Sequence, residues 1–155
     1  MNTINTIIRN FEEIRRKSIK LWTGLTPEFY QWRPDDKALS CLEMVRHVLE
    51  TEHIYHVIVN NKGGHGATVT PWANRPYTNV QHELVFAEPF QKEFMNTISG
   101  FSEEDLNAIQ IVRSERVTRT LGEFLLRCNY HESVHAGQFL SYLRTIGLDR
   151  PNIWD

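Results

Sequence analysis

One long amphipathic segment near the C-terminal end restricts the folds open to this chain. Between about Leu121 and Ile146, apolar residues recur three or four positions apart, which places them on one face of a helix. The run Thr120-Leu-Gly-Glu123 is a capping box at its start, and Gly147 followed by Pro151 is typical of a helix end. A helix with one apolar face must pack against other elements, so this pattern predicts a helical bundle.

Three earlier segments carry apolar stripes of the same period. They run from about Thr3 to Thr23, from a capping box at Ser40 to about Asn60, and from a second possible capping box at Thr78 to about Ser99. The charged residues of the first segment, Arg15 among them, are expected on its solvated faces. Pro89 interrupts the third stripe, so a kink or a short break is expected there.

The connections between these helices are unequal in length. Residues 61–77 contain several glycines and prolines and form a loop that could span a helix length of about 30 Å. Residues 102–105 resemble one more helical turn, and residues 108–120 alternate loosely enough for a small hairpin. The sequence therefore predicts a single all-α domain over residues 1–155. We expect a four-helix bundle with long connections between helices 2 and 3 and between helices 3 and 4.

Two histidines lie inside the apolar stripe of the last helix. His131 and His135 are four residues apart, so a helix puts them on one face, roughly 6 Å apart along its axis. His47 falls at the edge of the stripe of the second helix, while His53 and His56 are expected at the surface. Buried neutral imidazoles need polar partners. A pair at this spacing, with a third histidine on another helix, favours a metal site over hydrogen-bonded core histidines.

The sequence allows more than one role for several residues near the histidine pair. Cys128 lies one turn before His131 and is either a fourth metal ligand or a small core residue. Glu132 could be a base, a fourth ligand or a solvated side chain. Glu50 and Gln138 are candidates for hydrogen bonds that orient an imidazole. Gly137 is unfavourable in a helix interior, which suggests close approach of another helix or a ligand.

The letters from His131 to His135 match the HExxH pattern of zinc peptidases, whose glutamate is a general base. The extended form of that motif has glycine three residues after the second histidine and another histidine six residues after it. Those positions here are Gln138 and Ser141, and no glutamate follows Glu132. The context therefore does not favour a peptidase.

Charge and hydropathy exclude several other classes of protein. The net charge is −2, and no dense basic cluster marks a nucleic-acid surface. No apolar run approaches the roughly 18 residues of a membrane span. The first residues lack the pattern of a signal peptide, and only Cys41 and Cys128 occur, so we expect a reduced, cytoplasmic setting.

Several short patterns occur in a fixed order along the chain. They are Trp32-Arg33-Pro34, the run from Met44 to Glu52, His131-x-x-x-His135, Gly137-Gln138 and Leu143-Arg144-x-x-Gly147. In this order and spacing the chain resembles the DinB-like superfamily of bacterial four-helix-bundle metalloproteins, which includes the YfiT-type thiol transferases. The resemblance implies an up-down-down-up bundle and a metal held by His47, His131 and His135. Many members have a further histidine where this chain has Val134.

Three neutral ligands leave a divalent ion with an open coordination position, as in catalytic rather than closed structural sites. The resemblance implies a metal-dependent enzyme that transfers a low-molecular-weight thiol to an electrophile, and a homodimer. Zinc or nickel is the expected divalent transition metal. The alternatives are a metal-dependent hydrolase and a non-catalytic, metal-stabilised bundle that acts through self-association.

Overall fold

Four long helices carry most of the chain in a computed structural model that describes residues 2–154. The model is 61% helical, as the four stripes predicted. Its elements are α1 (Thr3–Trp22), a 3-10 turn (Pro27–Phe29), α2 (Cys41–Asn61), α3 (Val80–Ser99), α4 (Asp105–Ala108), β1 (Gln110–Ser114), β2 (Val117–Thr120) and α5 (Leu121–Ile146).

Side-chain caps explain where the long helices begin. The capping boxes predicted at Ser40 and Thr120 are both present and open α2 and α5. Helix α3 is capped by Asn79, whose side chain accepts a hydrogen bond from the backbone N–H of His82 at 2.8 Å. The capping box predicted at Thr78 is therefore wrong: the N-cap is Asn79, and the residue three positions on is His82 rather than a Glu or Gln.

Pairs at both ends of α2 and α3 show that these helices run parallel. Near their starts, Arg46 and Glu83 form an ion pair with nitrogen and oxygen 2.6 Å apart. Near their ends, the His56 Nε2 lies 2.8 Å from the Thr97 hydroxyl. The connection of residues 62–79 must therefore return along the bundle, and the Arg46 guanidinium holds it by donating to the carbonyls of residues 75 and 76.

The other two helices run in the opposite direction to this pair. The Tyr55 ring packs edge-on against Phe124, with centroids 5.7 Å apart, and His47 meets His131, so α5 is antiparallel to α2. Arg15 pairs with Glu132, and further along both helices the Lys20 side chain reaches the tail that follows α5. Helix α1 is therefore parallel to α5, which completes the expected up-down-down-up bundle.

Helix α3 continues through Pro89 without the break that the sequence suggested. Proline removes the hydrogen bond to the carbonyl four residues earlier. That residue, Val85, is 58% exposed, so water can replace the missing donor. Of the two alternatives, the short break is therefore absent, because the lost bond lies on the solvent side of the helix; the kink stays a prediction.

The predicted hairpin is present as the antiparallel pair β1–β2, with an irregularity between Val112 and Ser114. Its backbone is fastened to the end of α2, because the Val112 N–H donates to the Lys62 carbonyl at 3.0 Å. A Cβ at Gly63 would lie 2.5 Å from the Val112 carbonyl oxygen, so only glycine permits this approach. The hairpin is thereby placed beside α2 and α5. Within residues 2–154, none of the helices has the length and hydropathy needed to cross a membrane.

Candidate metal centre

Three histidines from two helices meet near the middle of the bundle. His47 comes from α2, and His131 and His135 come from successive turns of α5. The His131 Nε2 lies 3.2 Å from the His47 Nε2 and 3.1 Å from the His135 Nε2. One ligand atom of each residue lies within 4.8 Å of the others. The three residues named from the sequence are thus brought together.

Burial keeps these imidazoles neutral. It lowers the pKa of His131 to about 4, with further lowering from the neighbouring His135 and His47. Burial likewise lowers the pKa of His47 and of His135, the latter against smaller opposing effects of Gln138 and Glu132. All three rings therefore present lone pairs at neutral pH, which is the state a metal ion requires.

The nitrogen positions fit one bound ion better than they fit hydrogen bonding among themselves. A neutral imidazole nitrogen carries either one hydrogen or one lone pair, so the His131 Nε2 cannot satisfy both of its neighbours well. In a tetrahedral site with metal–nitrogen distances near 2.0–2.1 Å, ligand nitrogens lie about 3.3 Å apart. The two nitrogen–nitrogen distances at His131 are close to that value. These residues could therefore hold a metal ion.

The side chains expected to orient the imidazoles are differently engaged. Glu50 accepts a hydrogen bond from the Thr70 hydroxyl and thereby holds the long connection rather than a ligand ring. The His135 Nδ1 is buried and has no partner that meets hydrogen-bond geometry, although Gln138 is close enough to raise the pKa of that ring. The ring of Tyr55 instead packs at 90° against His131, with centroids 5.6 Å apart. The orientation of His131 therefore comes partly from aromatic packing.

Glu132 is neither a ligand nor a solvated residue. It forms a two-pronged ion pair with Arg15, with both nitrogen–oxygen distances 2.9 Å, and Arg15 also contacts Glu52 at 3.1 Å. All three side chains are buried. Burial raises the pKa of Glu52 to about 7, with Arg15 opposing and Glu132 adding to the shift. Arg15 was expected in solvent, and this expectation was wrong because the residue lies on the buried stripe of α1.

Cys128 is a core residue. Its thiol donates to the Phe124 carbonyl at 3.3 Å, and burial raises its pKa well above the usual value, so the sulfur stays protonated. The group of potential ligands in residues 2–154 comprises the three histidines and does not include this sulfur. The core interpretation of Cys128 is therefore the better one.

Three smaller expectations need correction. His56 is buried, bonds Thr97 and stacks on Phe94 with ring centroids 5.0 Å apart, so it is a core residue between α2 and α3. His53 is half-buried against aromatic rings that include Phe90. Gly137 is exposed, and a Cβ there would meet nothing within 4 Å, so no close approach requires glycine.

A cavity of about 440 Å³ opens beside His131. Helix α5, the β1–β2 hairpin and Tyr55 line it, so the histidine cluster can be reached from outside. Trp72, from the long connection before α3, is buried against Phe86 and Phe90 and does not line this cavity. A second groove of about 570 Å³, between α1 and α3, does not touch the histidines.

Comparisons with known proteins agree with this architecture. A model of the DinB superfamily matches residues 10–139. An uncharacterised protein of Bacillus subtilis (strain 168), YjoA, is 22% identical over 144 residues, which cover 92% of this chain and 90% of that protein. The crystal structure of that DinB-like protein has a TM-score of 0.73 at 21% identity, over 96% of each chain. A DinB-like protein from Bacillus cereus ATCC 10987 also has a TM-score of 0.73, at 15% identity over 96% of this chain and 95% of that one.

At these identities the two crystal structures establish a shared fold. The family model does more, because residues 10–139 span most of the chain and include all three histidines of the cluster. On this evidence the chain belongs to the DinB superfamily.

Proposed function

We propose that His47, His131 and His135 bind one divalent transition metal, zinc or nickel, and that the protein is a metal-dependent enzyme. The proposed reaction transfers a low-molecular-weight thiol to an electrophile. The observation that carries this proposal is the convergence of three neutral imidazoles beside a cavity that reaches one of them. A purely structural metal site would be closed by four protein ligands.

The donor set supports catalysis rather than a closed site. No Cys, Asp or Glu in the described chain joins the three histidines within ligand distance, so the protein supplies three neutral nitrogens and no compensating charge. A bound divalent ion would lower the pKa of a thiol or a water molecule at its remaining position. The protein's own task is to hold the imidazoles neutral and convergent and to give the reactants a route past His131.

The proposed step balances without an additional reactant. The sulfur of the thiol forms a bond to an electrophilic carbon, the leaving group departs with its bonding electron pair, and the thiol proton passes to solvent. With water in place of the thiol, the same arrangement gives the hydrolase. The product of the reaction therefore distinguishes these two activities.

The test combines metal analysis with a conjugation assay. Purified wild-type protein, His131→Ala and His82→Ala are analysed for metal per chain. They are then assayed with glutathione, bacillithiol or mycothiol and an electrophile such as chlorodinitrobenzene. We expect wild type and His82→Ala, whose histidine is exposed, to hold metal and form the thioether, and His131→Ala to do neither.

Two results would overturn the proposal. Equal metal content in wild type and His131→Ala would remove the ligand set. Full metal content with no conjugate and no hydrolysis product would leave a metal-stabilised bundle without catalysis. Circular dichroism of each variant shows whether a loss of metal comes from loss of the fold.

Self-association as a homodimer stays a prediction. Phe86 and Phe101, two aromatic residues outside the predicted apolar stripes, are partly buried against the core and so do not form an exposed aromatic surface. Sedimentation at tens of micromolar protein is the measurement that decides between monomer and dimer.

A further inference from the structure

The cavity beside His131 has two walls of different origin. One wall is the outer face of α5, and the other is the β1–β2 hairpin, with Tyr55 of α2 between them. Its volume of about 440 Å³ lies within the usual range for small-molecule sites. The cavity therefore has room for a ligand that extends from the histidine cluster towards the hairpin.

The charged residues of this cavity are all basic. Arg113 and Arg119 come from the hairpin and Arg127 from α5, and no Asp or Glu lines the cavity among residues 2–154. None of the three arginines forms a salt bridge within the described chain. Arg113 donates one hydrogen bond, to the Gly63 carbonyl at 3.3 Å. A guanidinium has five N–H donors, so most of this hydrogen-bonding capacity is available to a ligand.

Nearby acidic groups do not neutralise these arginines. Glu123 is close enough to Arg119 to feel its charge, but its carboxylate accepts from the backbone N–H and the hydroxyl of Thr120, at 2.8 and 3.1 Å. Arg113 and Arg119 reach the cavity from the hairpin and Arg127 reaches it from α5, and all three line it together with Tyr55. The positive charges therefore converge on one cavity.

Apolar side chains complete the lining. Phe124, Val117 and Val134 line the cavity together with the arginines and His131. A ligand that fits this cavity therefore has an apolar part as well as a negatively charged group. Guanidinium groups bind carboxylates and phosphates through paired, charge-assisted hydrogen bonds.

We propose that this cavity binds an anionic group, a carboxylate or a phosphate, of the molecule that reacts at the histidine cluster. The statement that this molecule is a substrate rests on the proposed function. The binding of an anion by the three arginines does not, since it requires no metal.

The experiment measures anion binding with and without metal. Metal-free and zinc-loaded wild-type protein are titrated at low ionic strength with succinate, inorganic phosphate and the neutral analogue succinamide. We expect succinate, phosphate or both to bind in both forms of the protein and succinamide not to bind. The double variant Arg113→Gln/Arg127→Gln should weaken anion binding by about tenfold or more, because two charged donors are lost.

Arg116→Gln is the matched control. Arg116 is exposed in the same hairpin but does not line the cavity, so its replacement should leave anion binding within about twofold of wild type, as expected for one screened charge. A preference for succinate or for phosphate identifies which anion the cavity takes. Equal weakening by Arg116→Gln, equal binding of succinamide, or no binding of either anion at about 10 mM would overturn the inference.

The comparison of metal-free with zinc-loaded protein tests the anion site separately from the proposed function. A protein that binds an anion but no zinc keeps the anion site and loses the metal-dependent enzyme. A protein that binds zinc through the three histidines but binds no anion keeps the metal site and contradicts the inferred anion site. Circular dichroism of the double variant shows whether it is folded, both without metal and with zinc.

Discussion

Two polar clusters lie side by side in the bundle, and they differ in whether their groups satisfy one another. Glu132 and His131 are neighbours on α5, yet Glu132 joins a buried cluster in which Arg15 bonds two carboxylates. His131 joins two imidazoles whose nitrogens face each other at 3.1 and 3.2 Å with no group of opposite charge between them. The first cluster is complete with protein groups alone. The second could hold a metal ion, so we assign a structural role to the ion cluster and keep the functional role proposed above for the histidine cluster.

The largest expected effect is on the ion cluster. Arg15→Met keeps the apolar stem but leaves Glu52 and Glu132 buried without a counter-charge, which should cost about 3–5 kcal/mol of the free energy of unfolding. Arg16→Met removes the neighbouring arginine, whose pair with Glu13 is exposed, and should change stability little. Urea denaturation measures both. A loss in Arg15→Met no larger than in Arg16→Met would contradict the structural role assigned to the cluster.

A metal ion should stabilise the histidine cluster and leave the ion cluster unaffected. Zinc at about 100 times its dissociation constant should raise the free energy of unfolding of metal-free wild type by about 2.7 kcal/mol. His131→Ala should show no such increase, while His82→Ala should behave like wild type. Thermal or urea unfolding with and without zinc tests this, and equal stabilisation of all three proteins would place the zinc elsewhere.

The pH dependence of the metal-free protein should separate the two clusters further. His131 has a pKa of about 4 in the fold and about 6.5 when unfolded, so below pH 6.5 the unfolded chain binds more protons. Its contribution to stability is complete above pH 6.5 and is lost as the pH falls towards 4. In His131→Gln this part of the decline should be absent, and urea titrations at several pH values compare the slopes. Identical slopes would show that His131 is not held neutral by the fold.

The smallest effect should come from the cysteine between the clusters. Cys128→Ala removes a buried sulfur and should cost about 1 kcal/mol of stability. Metal content per chain should stay at the wild-type level, because the thiol is protonated and bonds a backbone carbonyl. Loss of metal in this variant, with metal retained when single histidines are replaced, would show a thiolate-anchored site instead.

The helices and the His131–His135 pair were predictable from local patterns. Periodic apolar residues and the boxes at Ser40 and Thr120 locate helices, and the spacing of His131 and His135 fixes a shared face. The length of the connection after α2 allowed a parallel α2–α3 pair, which the structure contains. The helices and the shared face of His131 and His135 depend on residues close together in the chain, where helix geometry alone gives the answer. His47 as the third histidine and the up-down-down-up order were implied by the family resemblance.

The ion cluster was missed although its signal was present. Arg15, Glu52 and Glu132 each occupy a position in the buried stripe of a different helix. Charged residues at such positions are rare and must find partners, so they could have been matched by sign. Arg15 was expected at the surface because it is charged, although its position places it on the buried stripe of α1. His56 was expected at the surface because it lies on the opposite side of α2 from His47. That side of α2 packs against α3, so His56 is buried there.

The basic cavity was less accessible to sequence reasoning. Arg113 and Arg119 become neighbours of Arg127 only because the hairpin docks on the end of α2, and that docking uses backbone groups of residues 62 and 112. A hydrogen bond between backbones leaves no pattern of residue types. The small side chain required at Gly63 is its only trace in the sequence.

This backbone attachment of the hairpin has a consequence for how the protein can change over evolution. The position of the hairpin depends on Gly63, on main-chain hydrogen bonds, on the buried side chain of Ile111 and on the Arg113–Gly63 hydrogen bond, so its other outward-facing side chains are free to vary without displacing it. The histidines lie on two long helices whose caps and core contacts do not involve those side chains. Relatives with the same bundle could therefore differ in the chemistry of this cavity through a few substitutions in one short hairpin, while the histidine cluster is inherited unchanged.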